Sequence, residues 1–585
     1  MNNRNTLNWK WILLATILYA LVFVVYTYPL ITQFTTHFIA DKPRGGDPAQ
    51  YTWNSYVFKQ NLMAFRNLFY SDYTFYPLGT NLLFHTYTPL ISIFSLPFSN
   101  LFLALNLFTF LQFVLSGLGA LFLSQRLFKN YSWGLVVGFV FAFSAYKMMH
   151  LLGHYHLMLT ATIPFYIMAL MDTFSFSEKA KIPRIINWKS FSYTAVLFML
   201  TFLSDYYAAF YLIFFTGFYL IFPYFRNLFL KTNKLVAWAC IFMVFLGGHY
   251  LASFFHFSYK VYDKGAFWWA PDVSLFFVPS YNSKWFTTES YYNSIGEANI
   301  ETPIFLGWTL ALLSIFMMYL WLKHKENKSS GFYFFVFILL FFVGMTTPDF
   351  KLMGVHWFYL PTANYHFIPF LNNIRIPGRA AMMVFLLLPI VLGYLLTSYR
   401  SFINPVLYKW IPIVALVLLF LEYWPKTYQT AYKDVNIEVA TWLKAKPGNV
   451  IFALPLGLED GFIHYDKPDV GLMTDQMTHG KKILGGYASR VHDDVFAYYN
   501  TDSICQTMYL LQKESRDTSL SQREAYKVDP ELIKKFLLKF KPDLILVQPT
   551  YKNKIAHHFV KLNFGPYIVS EDSLNDNVLY TLKRP

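Results

Sequence analysis

The chain has 585 residues, of which 55% are hydrophobic, 21% aromatic and only 14% charged, whereas soluble domains carry roughly 25% charged residues. That balance excludes an ordinary soluble enzyme and indicates a membrane protein. The formal net charge of +15 would suit nucleic acid, but the basic residues fall in alternate gaps between apolar runs, so their placement argues against a nucleic-acid partner.

A bilayer core is crossed by about 20 mainly apolar residues in helical form. Eleven such spans are predicted, at roughly 10–30, 101–125, 132–150, 156–174, 190–205, 207–224, 234–254, 303–322, 331–347, 380–398 and 407–424. Alternate gaps are basic: Arg4 and Lys10; Arg126 and Lys129; Lys179, Lys181, Arg184 and Lys189; Arg226, Lys231 and Lys234; Lys323, Lys325 and Lys328; Arg400 and Lys409. Basic loops stay in the cytoplasm, so the amino terminus is predicted inside and the carboxyl-terminal region outside. The first run is longer than a signal-peptide core and no small-x-small site follows Tyr28-Pro29, so it is predicted to remain as an anchor. Cys240 lies in a predicted span and Cys505 in the outer region, which makes an intramolecular disulfide implausible. A cysteine-poor exterior fits a bacterial inner membrane.

In chain order, the first outer loop (about 31–100) contains Gly45-Gly46-Asp47-Pro48-Ala49-Gln50-Tyr51-Thr52-Trp53. Asp before Pro is a good helix start, with Asp47 as N-cap and Pro48 at the first helical position. Tyr51, Asn54/Ser55, Phe58 and Leu62 then recur at helical spacing and predict an interfacial helix with its aromatic face in lipid or protein. A carboxylate at a helix N-terminus stays ionised, so capping and base chemistry are compatible. Asp72 and His85 share this loop, and Tyr76-Pro77-Leu78-Gly79 reads as a turn.

Further on, His150, His154 and His156 cluster between the third and fourth spans. His150 and His154 are four apart, but Gly153 interrupts the helix, so hydrogen bonding to a phosphate or sugar hydroxyl is favoured over a two-histidine metal site. Asp205 sits where two spans emerge, a position where ionisable groups tend to be functional. The loop at about 255–302 carries Lys260, Asp263, Trp268, Trp269, Asp272, Trp285, Glu289, Glu297 and Glu301; the aromatics could stack on a sugar or a polyprenyl chain. The loop at about 348–380 ends in Arg375-Ile376-Pro377-Gly378-Arg379. The two guanidinium forks suit phosphate oxygens, or snorkel to lipid headgroups. From 425 to 585, short apolar runs alternate with helical patterns and predict a soluble α/β domain large enough to bury its own core. Within it, His479 to Arg490 is a glycine-turn surface, and with no helix placed after it the phosphate-loop reading is weak.

Taken together, the chain resembles the GT-C glycosyltransferases, integral membrane enzymes that use polyprenyl-phosphate sugars, and among them bacterial members with a carboxyl-terminal outer domain. The resemblance rests on Gly46 to Trp53, Tyr76-Pro77-Leu78-Gly79 with Asn81 and His85, Gly153-His154 through Pro164, Asp205-Tyr206-Tyr207, Glu301 to Gly307, Arg375 to Arg379 and His479 to Arg490. It implies a mainly α, polytopic protein with a membrane domain at 1–424 and an extracytoplasmic α/β domain at 425–585. It implies transfer of a hexosyl or pentosyl group from a polyprenyl-phosphate donor to a glycan, lipid or protein acceptor. Asp47 matches the catalytic or acceptor-binding acid of the first outer loop; Asp72, His85, His154, Asp205, Glu301, Arg375 and Arg379 are the expected substrate-binding residues. The motif carries a single acid where some members have an Asp-x-Asp pair, so no cofactor is required and a divalent metal stays optional. Two other classes compete: a lipid-carrier flippase, for which paired repeats and interrupted spans are expected and not seen, and a non-catalytic envelope assembly protein on the same scaffold.

Overall fold

A computed structural model describes residues 8–41, 46–83, 85–175, 183–231, 269–324, 330–367, 374–432, 437–461, 463–466, 468–513 and 526–585. The chain divides into two compact units, 1–33 with 106–429, and 34–105 with 430–585.

The first unit is helical. Among the described residues, six helices are long and apolar enough to cross a membrane: Trp9–Tyr26, Leu101–Phe128, Tyr131–His150, Tyr206–Pro223, Pro377–Ser398 and Pro405–Glu422. Trp308–Lys323 and Gly331–Thr346 are apolar but shorter. The runs predicted at 156–174 and 190–205 fold as helices of 12 and 15 residues, Thr162–Thr173 and Trp188–Phe202. The run at 234–254 lies outside the described residues, as do Lys260, Asp263 and Trp268.

Close helix packing uses small residues where aromatics cross. Tyr19 is fully buried and donates to the Leu135 carbonyl at 3.1 Å, and a Cβ at Gly138 would lie 2.1 Å from its hydroxyl. The helix from Tyr206 meets the one from Ser330 through aromatic pairs such as Phe214–Phe341 and Phe215–Phe334, each with ring centroids 5.3 Å apart. Such pairs contribute about 0.5–1.5 kcal/mol beyond the area they bury.

The second unit is built around a five-stranded sheet. Lys482–Ile483, Val450–Leu454 and Leu544–Val547 are parallel neighbours; Asn577–Leu582 and Ile568–Leu574 continue it antiparallel. Val450–Leu454 and Leu544–Val547 are buried on both faces, which explains their continuous apolar sequence. Alternation along each strand divides the core. Ile451, Ala453, Leu544 and Leu546 pack with Trp53, Val57, Phe58, Val439, Leu443 and Leu472. Val450, Phe452, Leu454, Ile545 and Val547 face Cys505, Met508, Phe536, Phe559 and Phe564. Helices therefore cover both faces.

Residues 34–105, expected as an outer loop of the membrane domain, are part of this second unit. Phe75 N donates to Gly485 O at 2.8 Å, Ile483 N to Tyr73 O at 2.9 Å, and Trp53 Nε1 to Gln476 Oε1 at 2.7 Å. The aromatic face of the helix Gly46–Met63 is thus buried in protein. The predicted turn at Tyr76–Gly79 forms, with Gly79 at φ +66° and a would-be Cβ 2.4 Å from the Ser71 carbonyl. Gly79→Ala is therefore expected to destabilise the protein by about 1–3 kcal/mol, measured as a lowered thermal midpoint of the full chain; an unchanged midpoint would refute the close approach. The glycines of 480–486 also have structural jobs: Gly480 (φ +68°) ends the helix Val470–His479, and a Cβ at Gly485 would sit 2.3 Å from the Gly457 carbonyl.

Candidate functional site

The site in the first unit begins with a broken helix. At Ser144 the backbone turns out of helical geometry (φ −52°, ψ 153°) and its hydroxyl accepts from Lys147 N, starting the short helix Ala145–His150. The chain then folds back through residues 151–153, with His154 N donating to His150 O at 2.7 Å. The histidines therefore meet through a turn and not along a helix face. Ring centroids are 5.5 Å apart for His150–His154 and 5.7 Å for His154–His156.

Opposite them stands Glu301. Its carboxylate, almost completely buried, takes Arg379 through both oxygens, Nη2 at 2.6 Å and Nε at 3.1 Å. His150 Nε2 is 2.9 Å and His154 Nδ1 3.3 Å from the same group. Gly378 makes the approach possible: a Cβ there would lie 2.8 Å from the Glu301 carbonyl and 2.9 Å from Pro271. The Arg379 guanidinium also lies over the Tyr207 ring, 4.7 Å from its centroid, and Nη1 is 3.5 Å from His156 Nε2. Planar, bidentate and stacked, this is a geometry lysine could not supply.

Asp205 completes the cluster. One oxygen accepts from Ala208 N at 2.7 Å, capping the helix from Tyr206, and the other is 3.7 Å from His156 Nε2. The charged groups of the cluster sit where helices begin or end, which is where apolar segments tolerate them.

Burial sets the protonation states. Burial alone would raise the Glu301 carboxyl, but Arg379 and the neighbouring histidines hold it well below the usual carboxylate range. His154 is pushed down to about 3, chiefly by burial, and is neutral. Asp205 goes the other way, up to about 6, again chiefly by burial. The sign follows: the folded state prefers protonated Asp205, so this group's favourable contribution is complete below about pH 4 and is lost as pH rises through about 6. Relative to Asp205→Asn, the wild type should lose on the order of 2 kcal/mol between pH 4.5 and 7.5. Thermal melts of both proteins at the two pH values measure this, and a constant difference would exclude it.

His150 has an acceptor at each nitrogen, Tyr146 O at 2.9 Å from Nδ1 and Glu301 Oε2 at Nε2. The donor atoms of His150, His154 and Glu301 lie within 4.8 Å of one another, a donor set that suits zinc or another divalent transition metal. The carboxylate, however, is already neutralised by Arg379, so the fit is one of donor type and spacing, with the charge otherwise balanced.

The sequence-predicted residues divide between the units. His154, Asp205, Glu301 and Arg379 meet in the first, where Arg375 is half-buried. Asp47, Asp72 and His85 are in the second. Asp47 is exposed in the first turn of the helix Gly46–Met63. Asp72 forms an ion pair with Lys482. His85 is buried, accepts from Ser489 N at 2.9 Å and is pushed down to about 3 by burial, which makes it a neutral structural link. His150 and His156 were weighed with His154 as hydrogen-bond donors, and Tyr207 lies in the Asp205-Tyr206-Tyr207 motif, but none of the three was carried into the expected substrate-binding set. His150 and His156 shared the histidine-rich turn with His154; nothing local marked Tyr207 as the stacking partner of an arginine 172 positions away.

A family model described as a domain of unknown function, DUF6311, matches residues 14–424. No curated protein matches the chain. Among solved structures, the chain is similar to the archaeal oligosaccharyltransferase AglB from Archaeoglobus fulgidus in complex with an inhibitory peptide and a dolichol-phosphate, at 11% identity and TM-score 0.45, over 98% of this chain and 74% of that one. It is also similar to the arabinofuranosyltransferase AftD from Mycobacteria, at 10% identity and TM-score 0.44, over 99% of this chain and 40% of that one. At TM-scores below 0.5 such likenesses fix neither fold nor chemistry.

Proposed function

The chain belongs to the DUF6311 family, and we propose that it is an integral membrane glycosyltransferase of GT-C type. It moves a sugar from a polyprenyl-phosphate donor to a glycan, lipid or protein acceptor on the extracytoplasmic face of a bacterial inner membrane. The observation that carries this reading is the Glu301 carboxylate, buried where apolar helices end and shared by Arg379, His150 and His154. Burying two opposite charges costs several kcal/mol per ion, and apolar residues would hold the helices at least as well. Ionisable clusters retained in such places tend to serve chemistry.

In this reading Asp47 takes the proton from an acceptor hydroxyl as the oxygen attacks the anomeric carbon. The bond from that carbon to the lipid phosphate breaks, and the phosphate leaves with the electron pair. Arg375, Arg379 and the neutral His154 donate hydrogen bonds to the leaving phosphate, an effect typically worth several kcal/mol. Asp205, raised towards neutral pH, is suited to exchange a proton with a sugar hydroxyl or with water. A divalent metal held by His150, His154 and Glu301 would add Lewis-acid polarisation of phosphate oxygens. The test is purified full-length protein assayed against a panel of polyprenyl-phosphate sugars, with release of lipid phosphate as the readout; no turnover with any donor overturns the proposal.

A further inference from the structure

Beyond the cluster, the first unit displays a two-stranded hairpin, Asp349–Leu352 paired with Val355–Tyr359. Met353, Val355, Trp357, Phe358 and Tyr359 are each half or more exposed. Consecutive strand residues point to opposite faces, so both faces of the second strand are open and apolar. A hairpin of this composition in water would be an aggregation hazard.

The exposure does not come from a loose loop. Asp272, fully buried, accepts from Met353 N at 3.2 Å and Gly354 N at 2.7 Å, clasping the turn. Lys351 pairs with Glu297 and His356 with Asp349, and the Phe350 and Phe358 rings stack at 4.8 Å. The polar groups of the hairpin are thus held by partners while its large apolar side chains are held out.

Its place in the chain identifies what those side chains meet. The preceding apolar helix, Ser330–Thr346, leaves Tyr333, Phe337 and Leu340 exposed along one face, a lipid-facing stripe at helical spacing. Two residues, Thr347 and Pro348, separate Thr346 from the first strand residue, Asp349, so that strand starts within about 11 Å of the helix end, three Cα–Cα steps on. The headgroup zone on each side of a bilayer is about 5–8 Å deep, and Trp and Tyr are enriched there.

We propose that the 349–359 hairpin is a membrane-interface anchor, with Val355, Trp357, Phe358 and Tyr359 seated at the headgroup–acyl boundary on the side of the Glu301–Arg379 cluster. The anchor is joined to the cluster by a short path: the Asp272 that clasps its turn follows Pro271, which packs on Gly378 beside Arg379. The proposal is independent of the transferase reading.

The test uses full-length protein in lipid nanodiscs, with a polarity-sensitive fluorophore on Trp357→Cys in a Cys240→Ala background; Cys505 is buried. The reference is Asp494→Cys, an exposed site in the second unit. Quenching by lipids bearing a nitroxide near the carbonyl end of the acyl chain should be at least about two-fold stronger at 357 than at 494, as expected of an interfacial residue, and aqueous iodide should show the reverse order. Val355→Cys is the second position, for the case where loss of the indole itself alters the seating. Equal lipid quenching at 355, 357 and 494, or stronger iodide quenching at 355 and 357 than at 494, overturns the anchor.

Discussion

Glu301→Gln should both weaken the fold and stop the reaction. The substitution removes the counter-ion from an arginine that is 93% buried, Arg379 being 7% exposed. Breaking a buried pair by removing one partner costs about 3–5 kcal/mol, because an uncompensated charge stays behind. Gln can still accept one hydrogen bond from the guanidinium, so the lower end of that range is expected. The second arm separates charge from shape. Glu301→Gln combined with Arg379→Gln leaves no buried charge at the pair, and stability should return by at least about 1 kcal/mol relative to Glu301→Gln alone. Activity should stay lost, since both groups are assigned to the site. Thermal unfolding of the detergent-solubilised proteins, followed by the donor assay, reads both quantities. A single variant that melts like the wild type would show that the carboxylate does not carry the charge balance described.

Asp47→Asn should leave stability alone and lower transfer by about 10²–10⁴-fold, the range general-base groups contribute. The helix starts at Gly46, so Asp47 stands in its first turn and not at the predicted N-cap; there the exposed carboxylate contributes at most about 0.3–1 kcal/mol through the helix dipole, too little for a loss of activity to be blamed on the helix. The same unit supplies its own control. Asp529-Pro530 repeats the Asp-Pro pair, and there the aspartate is a working cap whose Oδ1 accepts from Glu531 N at 2.9 Å. Asp529→Asn should therefore be silent in both measurements. If Asp47→Asn retains full transfer with a donor that the wild type uses, Asp47 is a helix-start residue and the base lies elsewhere.

Much of the first unit was legible because its signal is local. Apolar runs of bilayer length and basic gaps between them need no knowledge of tertiary contacts. The sheet was half legible: the short apolar runs alternating with helical patterns after residue 425 are the strands Val450–Leu454 and Leu544–Val547 and the amphipathic helix Pro530–Phe540. The membership of residues 34–105 was not legible. Trp53 finds Gln476, and Phe75 finds Gly485, across more than 400 positions, and periodicity within a segment carries no address for a partner so distant. The candidate site shows the same limit. Gly153 was read as interrupting the helix, which weighed against a two-histidine metal site; the chain turns there, and His154 returns to the carboxylate that His150 meets. Glu301 has no local mark at all; it entered through family likeness, and the 151 positions between it and His150 place the pairing beyond pattern reading.

The division of the second unit into 34–105 and 430–585 also sets a timetable for biosynthesis. Its first segment leaves the ribosome with the helix Gly46–Met63 complete and with Trp53, Val57 and Phe58 lacking the strands they pack on. The intervening residues 106–429 number 324 (429 − 106 + 1), which at about 5–20 residues per second is roughly 16–65 s of synthesis. For that interval an apolar helix face waits for its sheet while the residues of the first unit are made. The late-arriving strands Val450–Leu454 and Leu544–Val547 therefore close a core whose other half was made first, and a chain that stops between residues 105 and 450 leaves that half uncovered.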